Sequence, residues 1–274
     1  MYKDKAIPTN GIVEKIVKKQ AVEFSKSIDN VFGEIDFDAP DVVAREILKL
    51  NTWQFSSAKN NADLKALNNL LIDKNGEIRP RSEFIRLAKG IVGNSARYLK
   101  TEHNTIIKSA QMARLWQEIQ RSKHIFPYLK FRVVKDGHTS DICEPLIDVI
   151  VSVDDPMLLT YFPPNHFNCR TTVTKLRRGT PTKNYALPEI HKSFKNNVGI
   201  SLKIFTEDNS YIKNAPGPVI NLATSLYEKN KFLERYKNYD FEETKSDGKG
   251  VLEIFTTGSQ SKKEFAKNKR ALSF

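Results

Sequence analysis

Apolar residues recur at three- and four-residue steps through the first 125 residues, and near Pro127 the pattern changes to two-residue alternation. Val13, Val17, Ala21, Phe24, Ile28 and Val31 share one stripe with lysines on the other faces, which predicts an amphipathic helix over 11–33. In "DFDAPDVVAREILKLNTWQF", Asp38 reads as an N-cap, Pro40 suits a first turn, and Val43, Ile47 and Leu50 repeat helically. "NADLKALNNLLID" predicts a third helix stopped by the turn "DKNGE", and "RSEFIRLAKGIV" a fourth. The longest helix is expected over 95–123, with Leu99, Ile106, Ala110 and Ala113 as its seam. Met112 and Trp116 broaden that seam as core side chains.

After Pro127, "YLKFRVVKDG" alternates Leu129, Phe131 and Val133 and ends in a turn, so it reads as a strand. "PLIDVIVSVDDP" and "RTTVTKL" predict two more, separated by irregular backbone around Pro156, Pro163 and Pro164. Further on, "LKIFTED" reads as a short strand, "VINLATSLYEKNKFLERYKNY" as a helix, "GVLEIF" as a strand and "SQSKKEFAKNKRALSF" as a last helix. The expected class is α+β: a mostly helical body over 1–125, a small β-containing His/Cys module over 126–180, a basic extended linker over 181–215, and a helix–strand–helix tail over 216–274.

Charge narrows the partners. Lys and Arg outnumber Asp and Glu by 44 to 32, a formal +12 that favours polyanions, nucleic acid foremost. Between Thr171 and Leu202 the basic residues Lys175, Arg177, Arg178, Lys183, Lys192 and Lys195 face a single Glu189. Together with Arg170, the first four of these are the candidate phosphate contacts; a solvated loop is the competing reading. No apolar run approaches the ~20 residues that cross a bilayer. The charged N-terminus lacks a signal-peptide core, so synthesis in the cytoplasm is expected.

The candidate chemistry lies in two pairs, His138 with Cys143 and His166 with Cys169. Thiolates and neutral imidazoles are the ligands zinc prefers, and four would close a tetrahedral structural site. A small irregular module gains most from such a clip, because metal-binding free energy becomes folding free energy. Two alternatives stand beside it: a Cys143–Cys169 disulfide, and buried thiols with no ligand. A catalytic reading assembles Asp136, His138, Asp141 and His166 as in histidine–asparagine–histidine nucleases, but no recognisable helix carries the last histidine. No P-loop, GxGxxG, GxSxG or HExxH occurs, so nucleotide hydrolysis and serine or zinc-protease chemistry have no support.

"YLKTEHNTIIKSAQMARLWQEIQ", "PYLKFRVVKDGHTSDICEPLIDVIVSVDDP" and "YFPPNHFNCRTTV", in that order and spacing, resemble phage Mu F-like minor head proteins, in a version similar to those of Bacteroidetes-type phages. Asp136, Thr139, Cys143, Leu146, Pro163, Pro164, His166, Cys169 and Arg170 occupy the family's signature places. Many members read Cys-Arg-Cys, whereas Thr171 stands third here, so the resemblance makes His138 or a weaker ligand the fourth in any zinc site. It implies a virion component, at the portal vertex or inside the capsid. Such proteins contact portal, other capsid proteins and packaged double-stranded DNA, and act in head morphogenesis or genome delivery. The tail resembles the opening of a barnase–colicin-like nuclease, which leaves a phage-delivered nuclease or toxin with an incomplete catalytic domain as the alternative. A cytosolic zinc-dependent nucleic-acid-binding regulator is a third reading.

Overall fold

The computed structural model describes residues 11–35, 39–235, 241–242 and 253–254. Two compact units divide between Leu226 and Tyr227. In the first, α1 (Glu14–Phe32), α2 (Pro40–Asn69) and α3 (Arg81–Ser122) are three long helices that pack on one another. α1 buries Val17, Ala21, Phe24, Ile28 and Phe32, as its stripe predicts.

The longer helices differ from the sequence expectation in their extent. α2 absorbs the second and third predicted helices, and α3 the fourth and fifth. The apparent break in α2 is a run of polar residues that the fold buries: Asn51, Ser56, Ser57, Lys59, Asn60 and Asn61. Polar residues facing inward erase the apolar period without ending the helix. The gap between the two helices predicted within α3 is Gly93 and Asn94; glycine lowers helix propensity by ~1 kcal/mol against alanine, too little to stop the helix. The phase of α2 also shifts. Val43 and Ile47 are 60% and 40% exposed, and Ala44, Leu48 and Phe55 face the core instead. Asp38 lies outside the described residues, and Ala39 precedes Pro40 with no side-chain cap.

Lys59 and Glu102 form a buried ion pair between α2 and α3. The ammonium donates to both carboxylate oxygens at 2.7 Å and to the Ser95 carbonyl at 3.1 Å. Burial raises the Glu102 pKa, and the bond from Lys59 opposes this. Beyond the pair, the end of α2 and the first half of α3 continue as a hairpin, closed by the turn at 70–80, where Arg79 binds the Leu70 carbonyl at 2.8 Å.

Three strands follow: β1 (Tyr128–Arg132), β2 (Ile150–Ser152) and β3 (Thr172–Leu176), antiparallel in the order β2-β1-β3. The register sets Leu129 opposite Val151 and Phe131 opposite Val173, and all four are buried. This inner face joins the core of the helical body, where Trp116 of α3 meets Phe162 edge-on at 4.8 Å. Between β2 and β3 lie the single turn α4 (Leu158–Tyr161) and the cis Pro163–Pro164 peptide.

Residues 181–215 carry α5 (Val198–Ser201) and α6 (Ser210–Asn214), and they bury Ile190, Phe194, Val198, Ile204 and Phe205. The strand expected in "LKIFTED" does not form. Leu202 takes a left-handed φ of 54° at the end of α5, and Asn51 of α2 then captures the backbone that a ladder would need. Its Oδ1 accepts from the amides of Ile204 and Phe205 at 2.9 and 2.8 Å, and its Nδ2 donates to the Phe205 carbonyl at 3.0 Å. Phe205 stacks on Phe55 with ring centroids 3.6 Å apart. α7 (Gly217–Arg235) matches the predicted helix. In the second unit, β4 (Phe241–Glu242) pairs antiparallel with β5 (Glu253–Ile254), inside the predicted "GVLEIF" strand. The last predicted helix lies outside the described residues. Among the described residues, no helix is long and apolar enough to cross a membrane.

Asn51 answers three buried backbone groups that no other side chain supplies. Replacing it by alanine leaves them unsatisfied, and the expected loss is on the order of 3 kcal/mol in urea unfolding of the full chain. A loss below about 0.5 kcal/mol would show that the contact does not hold the segment.

Candidate functional site

Two loops build the site. The first runs from the end of β1 to the 3-10 turn Glu144–Leu146 and is organised by Asp136 and Thr139. The amide of His138 donates to Asp136 Oδ1 at 2.9 Å, and the amide of Asp136 to Thr139 Oγ1 at 2.9 Å. Thr139 in turn donates to the Val134 carbonyl at 2.7 Å. The second is His166–Cys169, where the Cys169 amide reaches back to the His166 carbonyl at 3.3 Å. Asn168 sits at φ 57°, a left-handed conformation that asparagine tolerates.

Both loops are tied down from outside. Asn168 accepts from Asn104 Nδ2 at 3.1 Å, donates to Thr101 Oγ1 at 3.3 Å, and its amide donates to Thr105 Oγ1 at 3.4 Å, so α3 carries the second loop. Arg170 joins that loop to the first through two bonds of 2.6 Å to the Asp136 carboxylate. This bidentate contact holds the Asp136 carboxyl well below the usual carboxylate range, with the His138 amide adding to the effect.

The fold brings Cys143, His166 and Cys169 together, with their donor atoms all within 4.8 Å of one another. Cys143 Sγ lies 3.1 Å from His166 Nε2 and 3.7 Å from Cys169 Sγ. The two cysteines are buried free thiols. His166 Nδ1 lies 2.7 Å from the Phe167 carbonyl, which only accepts, so Nδ1 carries a proton and Nε2 is the ring atom that faces the sulfurs; the bond with Cys169 raises the His166 pKa. Cys143 donates to the Cys169 sulfur and His166 adds a second contact, which holds the Cys169 thiol low; the same bond with Cys169 pushes the Cys143 thiol up.

These donors fit a thiophilic cation. Ligands of one tetrahedral zinc, bound at about 2.0–2.3 Å, stand roughly 3.5–3.8 Å apart. The sulfur–sulfur separation matches that spacing, and the Cys143–His166 separation is within half an ångström of it. Asn165, fully buried next to His166, leaves both amide atoms without a protein partner while its backbone N–H bonds Cys169. A buried unpaired amide is unusual in a finished protein interior.

Residues 77–174 match the family model described as Phage Mu protein F like protein. They are Mu F-like. The Mu F capsid assembly protein of Escherichia phage Mu is 32% identical over 89 residues, which cover 32% of this chain and 20% of that relative. No solved structure gives a significant match. The Mu F-like region starts just before α3 and ends within β3, so it holds the projecting half of α3, strands β1 and β2, and both site loops.

The structure separates the residues singled out from sequence. His138 is exposed and stands outside the thiol–imidazole group; its amide shapes the Asp136 turn. Arg170 is engaged by Asp136. Lys175 is half-buried, 3.4 Å from Ser122 Oγ and over the Phe126 ring. Arg177, which also lies over Phe126, and Arg178 and Lys183 beyond the matched residues are exposed. Of two further neighbours, sequence reasoning missed Lys108. Thr171, read from sequence only as standing in a cysteine's place, is 1% exposed and hydrogen-bonds Cys143. Lys108 of α3 lies near enough to both thiols to interact with them electrostatically, while burial lowers its pKa. The helical period of α3 puts Lys108 seven residues after Thr101, on the side that carries Asn168, and that was the available signal.

Proposed function

We propose that this chain is a minor head protein of a phage. It acts in head morphogenesis or genome delivery, is located in the virion at the portal vertex or capsid interior, and contacts portal, capsid proteins and packaged double-stranded DNA. The observation that carries the reading is the Mu F-like match over 77–174, supported by the name of the phage Mu relative as a capsid assembly protein. The site geometry agrees with a structural role: Arg170 ties its loop to Asp136, and Cys143 of one loop meets His166 and Cys169 of the other.

Zinc is the proposed occupant of the Cys143, His166 and Cys169 group, where it would add folding free energy to two loops with little apolar content of their own. Three protein donors leave one tetrahedral place for water. DNA contact is assigned to the exposed cations Arg177, Arg178 and Lys183, with Lys175 beside them. Arg170 contributes less, since its charge is already matched by Asp136.

Three measurements test the separate parts. In purified virions the chain should appear with portal or capsid protein at low copy number, and its persistent absence would refute the head reading. Elemental analysis should find about one zinc per chain. Cys143→Ser, His166→Ala and Cys169→Ser should each lose it and His138→Ala should keep it; metal-free but fully folded wild type removes the zinc assignment. Duplex DNA affinity should fall steeply between 50 and 200 mM salt (on the order of tenfold or more for a few phosphate contacts), and an Arg177→Ala/Arg178→Ala variant should flatten that slope. Binding that is absent or insensitive to salt rejects the DNA contact.

A further inference from the structure

α3 carries one apolar series at strict seven-residue steps: Ile85, Val92, Leu99, Ile106 and Ala113. Ile106 and Ala113 are 0% exposed and belong to the core. Ile85, Val92 and Leu99 continue the same line along the projecting hairpin, and they are 40%, 59% and 39% exposed. Phe84, Leu87, Ala88 and Ile91 beside them are half-buried against the other helix of the hairpin. The seam that organises the body thus runs on for two heptads with nothing over it among the described residues. A seven-residue repeat is the spacing at which a second helix packs knobs into holes.

The flank of this seam is charged with one sign. Over Arg81–Lys100 the helix carries Arg81, Arg86, Lys89, Arg97 and Lys100 against Glu83 alone, and Glu83 is paired with Arg79. Arg86, Lys89, Arg97 and Lys100 follow one another at steps of three, eight and three residues, so they form an exposed stripe next to the apolar one.

We infer that the projecting half of α3 is a docking face for an amphipathic helix of another protein, one whose apolar face is flanked by acidic residues. A second copy of this chain fits poorly, because it sets one basic flank against another. A polyanion such as DNA would pair with the basic stripe and leave Ile85, Val92 and Leu99 wet. An acidic amphipathic helix covers the apolar line and neutralises the stripe together. This face involves neither the thiol–imidazole group nor the cations assigned to DNA, and it stands or falls independently of the head reading.

The test uses the full chain and a fluorescent synthetic helix of about three heptads, with leucine at a and d and glutamate at e and g. The acidic peptide should bind, and the double variant Val92→Ser/Leu99→Ser should weaken it by about tenfold or more. Arg86→Glu/Lys89→Glu should weaken it too, and a lysine-flanked version of the peptide should not bind. Leu159→Ser, which removes an apolar residue 59% exposed in α4, should leave binding unchanged. All the substituted residues are exposed, and thermal melts by circular dichroism check that each variant is folded. The inference is overturned by no binding, by equal binding of the lysine-flanked peptide, or by indifference to Val92→Ser/Leu99→Ser. It is equally overturned if Val92 and Leu99 prove to drive self-association in sedimentation, or if duplex DNA or anionic vesicles, and not the acidic peptide, need those two residues.

Discussion

A helix of 42 residues is about 63 Å long, more than one small core can cover. The rest of the molecule is arranged by what each part of α3 packs against. Its C-terminal half is buried by α1, α2, the sheet and α5; its middle carries the loop of His166 and Cys169 through Thr101, Asn104 and Thr105; among the described residues its N-terminal half has only the end of α2 beside it. The Lys59–Glu102 pair stands at the join between body and hairpin. An ion pair taken out of water is a weak source of net stability, but breaking one by removing a single partner typically costs about 3–5 kcal/mol. Sliding α2 along α3 would part this ammonium from this carboxylate, so the pair favours one alignment and with it one reach of the hairpin.

The thiol–imidazole group is built on the same logic of borrowed rigidity. Its loops bury few apolar residues, so they cannot order themselves by burial alone. They are positioned by a carboxylate–guanidinium clamp between Asp136 and Arg170, by an asparagine bonded to one face of α3, and by a strand register that brings Cys143 and Cys169 to within 3.7 Å. The polar signature residues therefore each have a mechanical reason to be present. Asp136 and Thr139 shape the first loop, Arg170 bonds it to the second, and the cysteines and His166 converge where the two meet.

The parts of this that sequence reveals are those with a period or a spacing. The stripe of α1, the alternation of β1 and the two His/Cys pairs were legible because each repeats or clusters in one dimension. What escaped depends on groups distant in the chain. Asn51, Ser56, Ser57 and Lys59 read as interruptions because a one-dimensional pattern treats polar residues as outward-facing, yet each is inside the fold; Asn51 is there to serve the backbone of Ile204 and Phe205, more than 150 positions away. His138 looked like a ligand from its spacing to Cys143, but the Asp136 turn uses its amide and leaves the ring in solvent. Thr171 looked like a lost cysteine and proves to be a buried hydroxyl bonded to the remaining one. Spacing proposes which residues meet, and only the turn geometry between them decides.

One consequence concerns the hairpin. Two helices without a third layer are marginal when isolated, because helix nucleation is costly and little apolar surface is buried between them. Here the hairpin is not isolated: α3 enters it already helical from a packed core, and α2 enters it past a fixed ion pair. Its order is propagated from the body and does not have to be generated locally, which lets Ile85, Val92 and Leu99 stay uncovered without the helix depending on them. A partner helix would then meet a face whose backbone is already in place, and the ordering cost that weakens association of flexible segments would fall on the partner alone.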